Sequence, residues 1–176
     1  MKNIGVVRRI DELGRIVIPK EIRKTLRIKE NDNLDIYVDN NENIILKKYS
    51  LISSLTDFAQ QFTDAIYNFL KKNIMITDKS TIIAYSGEDK KRYIGKNISK
   101  DLETSLDRRE NILEKFEKEI SFSELNKENC KYIIISIISN GDVMGLVVVF
   151  SNDELNENDY KISKIAAQFL GKYLEQ

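Results

Sequence analysis

Histidine is absent from these 176 residues, and cysteine and proline occur once each, as Cys130 and Pro19. Without histidine the commonest metal ligand and general base is missing, and one cysteine excludes both an internal disulfide and a cysteine-rich zinc site. Most familiar hydrolase and metalloenzyme routes are thereby closed. Carboxylates are numerous, but acid–base work needs two of them in one pocket with pKa values pushed apart, and no spacing singles out such a pair. The chain is therefore expected to hold no catalytic residue, no metal and no cofactor. Long apolar runs are missing too: nothing approaches the ~20 residues that cross a bilayer. The amino-terminal MKNIGVVRR also lacks the apolar core of a signal peptide. A cytoplasmic protein with no membrane partner is the expectation.

What is present is charge, 32% of the chain and balanced in sign, but segregated. Residues 1–30 hold nine Lys and Arg against four acids, and residues 1–50 keep a surplus of three positive charges that residues 51–176 cancel. A basic head on an acidic body suggests two domains with separate tasks.

In the head, Ile4, Val6, Arg8 and Ile10 alternate as one face of a strand, Asp11-Glu12-Leu13-Gly14 reads as a turn, and Arg15 to Ile18 reads as a second strand. Pro19 stands where a missing N–H costs a helix nothing, which predicts a helix from Pro19 to about Leu26. At about 100° per residue, Pro19, Ile22 and Leu26 share one face while Lys20, Arg23, Lys24 and Arg27 form a cationic arc beside it. Ile16, Ile18, Ile22 and Leu26 read as core. Leu34, Ile36 and Val38 then alternate with polar residues, Asp39 to Asn43 turn the chain, and Ile44 to Leu46 return. So small a unit, with neither disulfide nor metal, buries little surface alone, and dimerisation is the expected remedy.

The segment GVVRRIDELGRIVIPKEIRKTL, residues 5–26, with a hairpin ending ILKKY, resembles the SpoVT/AbrB swapped-hairpin domain of bacterial transition-state and sporulation regulators. The resemblance covers about residues 3–50, and places a SpoVT-AbrB domain at 1–52. It implies a domain-swapped dimer whose DNA contacts, carried over position by position, are Arg8, Arg9, Arg15, Arg23 and Lys24. Lysine at 24 keeps the charge but not arginine's bidentate grip on a guanine edge.

Residues 53–176 read as a second, α+β domain. Leu51, Leu55, Phe58, Phe62, Ile66 and Phe69 recur at helical spacing; Asn73 to Thr77 and Ser80 to Tyr85 read as strands; residues 98–119, rich in charge, read as helical. Asn140-Gly141 between two β-branched runs, Tyr132 to Ile138 and Val143 to Phe150, marks a hairpin. A closing helix over Asn156 to Leu174 carries Ile162, Ile165, Phe169 and Tyr173 on one stripe, widened by Ala166, Leu170 and Leu174. Asp89 to Arg92 reads as a solvated loop and Cys130 as a small buried apolar residue.

An antiparallel sheet flanked by long terminal helices is similar to the GAF class of sensory domains, which pack through their first and last helices. Phe62, Phe69, Phe169 and Tyr173 are then the candidates for a second interface, giving a homotetramer of two kinds of dimer. The two resemblances together imply a transcription regulator, activator or repressor, of sporulation-stage genes. It would bind A-T-rich double-stranded promoter DNA as an oligomer, with a small-molecule effector as a further partner. The alternative is an antitoxin-like protein that uses the swapped hairpin to bind and neutralise a protein partner. GAF-related sulfoxide reductases work through several cysteines, which disfavours an enzyme.

Overall fold

The computed structural model describes residues 6–30, 32–49 and 55–175. It divides into two compact units, Met1–Tyr49 and Ser50–Gln176, each with its own sheet.

In the first unit a tight turn at Asp11 to Arg15 leads to helix α1, Lys20–Thr25, followed by the antiparallel strands β1, Leu34–Val38, and β2, Ile44–Lys48. Pro19 precedes α1 with an extended backbone, φ −57° and ψ 148°, the conformation its ring favours. The helix ends in a Schellman motif. Arg27 turns left-handed at φ 52°, the Ile28 N–H bonds the Arg23 carbonyl at 2.8 Å, and the Arg27 N–H bonds the Lys24 carbonyl at 3.3 Å.

Two expectations for this unit change. Residues 6–10 and 15–18 form no strand in the single chain, and Ile4 lies outside the described residues. A strand needs a ladder partner, and the backbone contact that closes here is confined to the turn, from the Asp11 N–H to the Arg15 carbonyl at 3.1 Å. Nor do Ile16 and Leu26 lie in a core; both are at least half exposed, while Ile18 and Ile22 are half-buried. Among the described residues of this unit only Pro19 is buried. The apolar positions are correctly patterned, but the described residues of this unit cover them only in part.

The second unit is a five-stranded antiparallel sheet in the order β4-β3-β7-β6-β5, from β3 Asn73–Thr77, β4 Ile82–Ser86, β5 Asn111–Ser123, β6 Asn126–Ser139 and β7 Asp142–Ser151. Asn140 at φ 49° and Gly141 at φ 83° supply the two left-handed residues of the β6–β7 turn. Ile133, Ile135 and Ile137 face a core completed by helices α2, Thr56–Leu70, and α5, Glu157–Tyr173. Tyr132 and Ile134 face the other core, with the one-turn helix α3, Lys90–Tyr93, and α4, Lys100–Arg108. Cover on both faces is why β6 reads, from Tyr132 to Ile138, as an apolar run interrupted only by Ser136. Helix α5 approaches the sheet closely at Gly171, where a Cβ would fall 2.0 Å from the Ile138 carbonyl oxygen.

The helical expectation for residues 98–119 holds only to Arg108. Arg109 turns left-handed at φ 54°, and Asn111 opens β5. That strand is a sheet edge, and its charged run from Glu114 to Glu119 is the device that keeps an exposed edge from pairing with another chain; the same charges imitate a helix's solvated face in sequence. The opposite edge is closed differently. The Gln60 side chain of α2 receives the Tyr85 N–H at 3.2 Å and donates to the Tyr85 carbonyl at 3.0 Å, taking the place of a neighbouring strand.

One carboxylate joins the two long helices. Asn156 and Asp159 form a capping box at the start of α5, and Asp159 Oδ2, which accepts the Asn156 N–H at 2.9 Å, also receives Lys72 Nζ at 2.5 Å. Lys72 follows the left-handed Lys71 that ends α2. Both side chains are largely buried, 13% and 7% exposed, so removing one leaves the other charge stranded. Asp159→Ala is expected to destabilise the protein by about 3 kcal/mol in urea denaturation. The double variant Asp159→Ala with Lys72→Met should recover part of that loss.

Candidate nucleic-acid interface

The basic surface is built around an aspartate. Asp11 Oδ1 accepts the backbone N–H of Leu13 at 3.0 Å and of Arg15 at 2.8 Å, while Oδ2 receives Arg15 Nε at 2.7 Å. Gly14 supplies the positive φ of 77° that the turn requires. The β1–β2 turn repeats the design: Asp39 Oδ1 accepts the N–H of Asn41 and of Asn43, both at 2.9 Å, and Oδ2 receives Asn43 Nδ2 at 3.0 Å. Glu42 there occupies the left-handed position at φ 62°.

Hydrogen bonds to both carboxylates hold them below the ordinary aspartate range. For Asp11 the Arg15 backbone N–H contributes most, followed by its guanidinium; for Asp39 the Asn43 side chain leads, followed by the Asn43 N–H.

The five expected contact residues are exposed and distributed over two neighbouring elements. Arg8, Arg9 and Arg15 flank the first turn; Arg23 and Lys24 stand in the last turn of α1, where a cation complements the helix's carbonyl end. Arg15 is paired with Asp11, and none of the other four is in an ion pair among the described residues. Unpaired, exposed guanidinium and ammonium groups are what polyanion binding uses, since phosphates replace a diffuse counterion cloud and not a protein carboxylate. Asp11 was not among the expected functional residues. The D-x-x-G spacing is a turn signal in the sequence, but that its second oxygen would reach Arg15 is not visible there.

In the second unit, Phe62 and Phe169 stack at 5.4 Å between centroids, and Phe58 lies 4.7 Å from Tyr173. These rings join α2 to α5, and Phe169 and Tyr173 remain 46% and 38% exposed. Phe69 stands outside that cluster at 76% exposure. The core on the opposite sheet face mixes aliphatic side chains with aromatic ones, Tyr85 stacking on Tyr93 at 4.8 Å and Phe122 tilted against Phe150 at 4.5 Å. Cys130 is buried there, and burial, with lesser help from Glu128 and Glu117, pushes its thiol up to about 12, so it is unreactive near neutrality. Arg92 is not freely solvated; it pairs with Glu128 at 2.9 Å. Among the described residues no group of three or more acidic, Cys or His side chains could hold a metal ion, and no helix is long and apolar enough to cross a membrane.

A family model described as stage V sporulation protein T C-terminal, transcription factor, matches residues 54–175. The chain belongs to the stage V sporulation protein T family. Stage V sporulation protein T of Bacillus subtilis (strain 168) is 46% identical over 178 residues, covering 100% of both chains. The basic head also matches the transition state regulatory protein AbrB of the same organism, with 65% identity over 49 residues, 28% of this chain and 50% of AbrB. Residues 7–53 match a model for antidote-toxin recognition MazE, bacterial antitoxin. The GAF domain of an Acinetobacter phosphoenolpyruvate-protein phosphotransferase superposes with a TM-score of 0.57 at 12% identity, covering 72% of this chain and 83% of that one. The stage V sporulation protein T family is thus one of transcription factors that join an AbrB-like head to a GAF-fold body.

The lowered carboxyls fix the sign of a pH effect. A depressed folded-state pKa contributes stability that is fully present above the unfolded value and is lost as pH falls through the folded one. Acid unfolding of the protein, followed by circular dichroism below about pH 4, should be less steep in the double variant Asp11→Asn, Asp39→Asn than in the wild type.

Proposed function

We propose that the chain binds promoter DNA through residues 1–52 and regulates sporulation-stage genes, with residues 53–176 serving assembly. The observation that carries this is the set of exposed cations Arg8, Arg9, Arg15, Arg23 and Lys24 on a unit 65% identical to a transition state regulator. Arginine and lysine at this density would neutralise several phosphates per subunit, so binding should weaken steeply with salt. Base edges and the deformability of A-T-rich duplex would share in discrimination.

The head works as a homodimer. Val7, Val17 and Ile36 are 96%, 75% and 69% exposed in the single chain, and an unpaired segment on either side of the Asp11 turn leaves backbone groups open. A second copy interleaving its own residues 6–18 would supply both the ladder partner and the apolar cover, and would present the cationic set twice to the two halves of a DNA site. The outer rings Phe62, Phe169 and Tyr173, with Phe69 beside them on α2, support a second contact between bodies and hence a tetramer. Linked dimers gain affinity by raising the local concentration of the second head. A small-molecule effector would have to part the Tyr85, Tyr93, Phe122 and Phe150 packing. A cytoplasmic location follows from the function. The antitoxin model covers the head alone, whereas the transcription-factor model covers residues 54–175, which favours DNA over a toxin as partner.

In fluorescence anisotropy with A-T-rich duplex, Arg23→Ala in the full-length protein should weaken binding to every sequence. It should also reduce the slope of log affinity against log salt by about 2, one phosphate contact per subunit of a dimer; loss of the oligomer instead would make Arg23 structural. Phe169→Glu should leave the head dimer intact and halve the mass of the assembly in analytical ultracentrifugation, and an unchanged mass would remove Phe169 from the interface.

A further inference from the structure

The two aspartate turns of the head differ in one respect. In both, Oδ1 takes the N–H groups two and four residues on, and backbone hydrogen bonds between the turn's ends close it, so neither turn needs the second oxygen. At Asp39 the second oxygen holds a neutral amide; at Asp11 it holds the Nε of Arg15 at 2.7 Å. The guanidinium is planar, so anchoring it through Nε orients both terminal nitrogens outward, and Arg15 has no second acceptor among the described residues. Its side chain nevertheless remains 72% exposed. A fork held by one edge and open on the other has the geometry for two parallel hydrogen bonds to O6 and N7 of guanine.

We propose that Asp11 is a positioning residue that sets sequence discrimination by presenting the outer edge of Arg15 to a guanine in the major groove. The assignment rests on the DNA-binding function proposed above. Two effects act in the same direction. Orienting the arginine before binding removes the entropy its flexible chain would otherwise lose on contact. The carboxylate also repels phosphates, which penalises loose association at sites where no guanine edge compensates. Arg8, Arg9, Arg23 and Lys24, which have no such partner, contact phosphate without reading sequence.

The test uses the full-length protein and a duplex recovered from a random library by wild-type binding, a scrambled duplex, and the recovered duplex with 7-deazaguanine in place of guanine, all at one salt concentration. Wild type should prefer the recovered duplex and lose about tenfold on the 7-deazaguanine version, which lacks N7 and leaves only O6 of the bidentate contact. Asp11→Asn keeps an Oδ1 for the turn but presents an amide where the carboxylate met Nε. It should lose about tenfold of the preference, bind the scrambled duplex at least as well, and be indifferent to 7-deazaguanine. Arg15→Lys, with Asp11 intact, should behave likewise, and Asp39→Asn should behave as wild type. If Asp11→Asn and Asp39→Asn lose preference equally, or Asp11→Asn keeps it, Asp11 is a turn former only and the assignment falls while DNA binding stands. If the wild type binds no duplex, the DNA-binding function falls, and the assignment with it.

Discussion

The head of this protein has too little to pack against. Its turns and hairpin are complete, yet most of its valines and several isoleucines lie open to water, and the residues flanking Asp11 have no ladder partner among the described residues. Burial of apolar surface is the main force that drives folding, and a unit of about fifty residues without disulfide or metal buries little of it within one chain. That shortage is what supports the proposed dimer and its doubled presentation of the cations.

The body is organised in the opposite manner. Both sheet faces are covered, both edges are protected, by Gln60 on β4 and by charge on β5, and a buried Lys72–Asp159 pair ties the end of α2 to the start of α5. Self-sufficiency leaves it free to present the rings of α2 and α5 outward. A fold shared with a GAF domain at 12% identity carries no ligand of its own accord, and the face opposite those helices is here a core of aliphatic and aromatic side chains.

Most elements were legible because their signals are local. Asn140-Gly141 demands left-handed backbone, Pro19 opens a helix, Asn156 caps one, and the apolar stripe of α5 repeats at helical period; each is decided within a few residues. The errors are equally physical. Residues 110–119 read as helix because an edge strand guarded by charge and a helix's wet face use the same side chains, and only the position of β5 in the sheet separates them. Ile16 and Leu26 read as core because their pattern is that of core, yet among the described residues they stay at least half exposed. Phe69 shares the helical period of Phe62 and stays exposed on α2; its role at an interface is part of the proposal above.

The amino-acid sequence by itself determined the class of this protein: a basic, histidine-free head with an Asp-x-x-Gly turn and a proline-opened helix, joined to an α+β body. Charge segregation and turn chemistry depend on residue identity alone, so they survive without coordinates. Tertiary structure decided which side chains meet. That one oxygen of Asp11 builds a turn while the other aims Arg15, that Gln60 stands in for a strand, and that Asp159 caps α5 while holding Lys72 are matters of distances within about 3 Å, the range over which hydrogen bonds form. Such distances arise only when elements far apart in sequence, or the two oxygens of a single side chain, are placed by the fold.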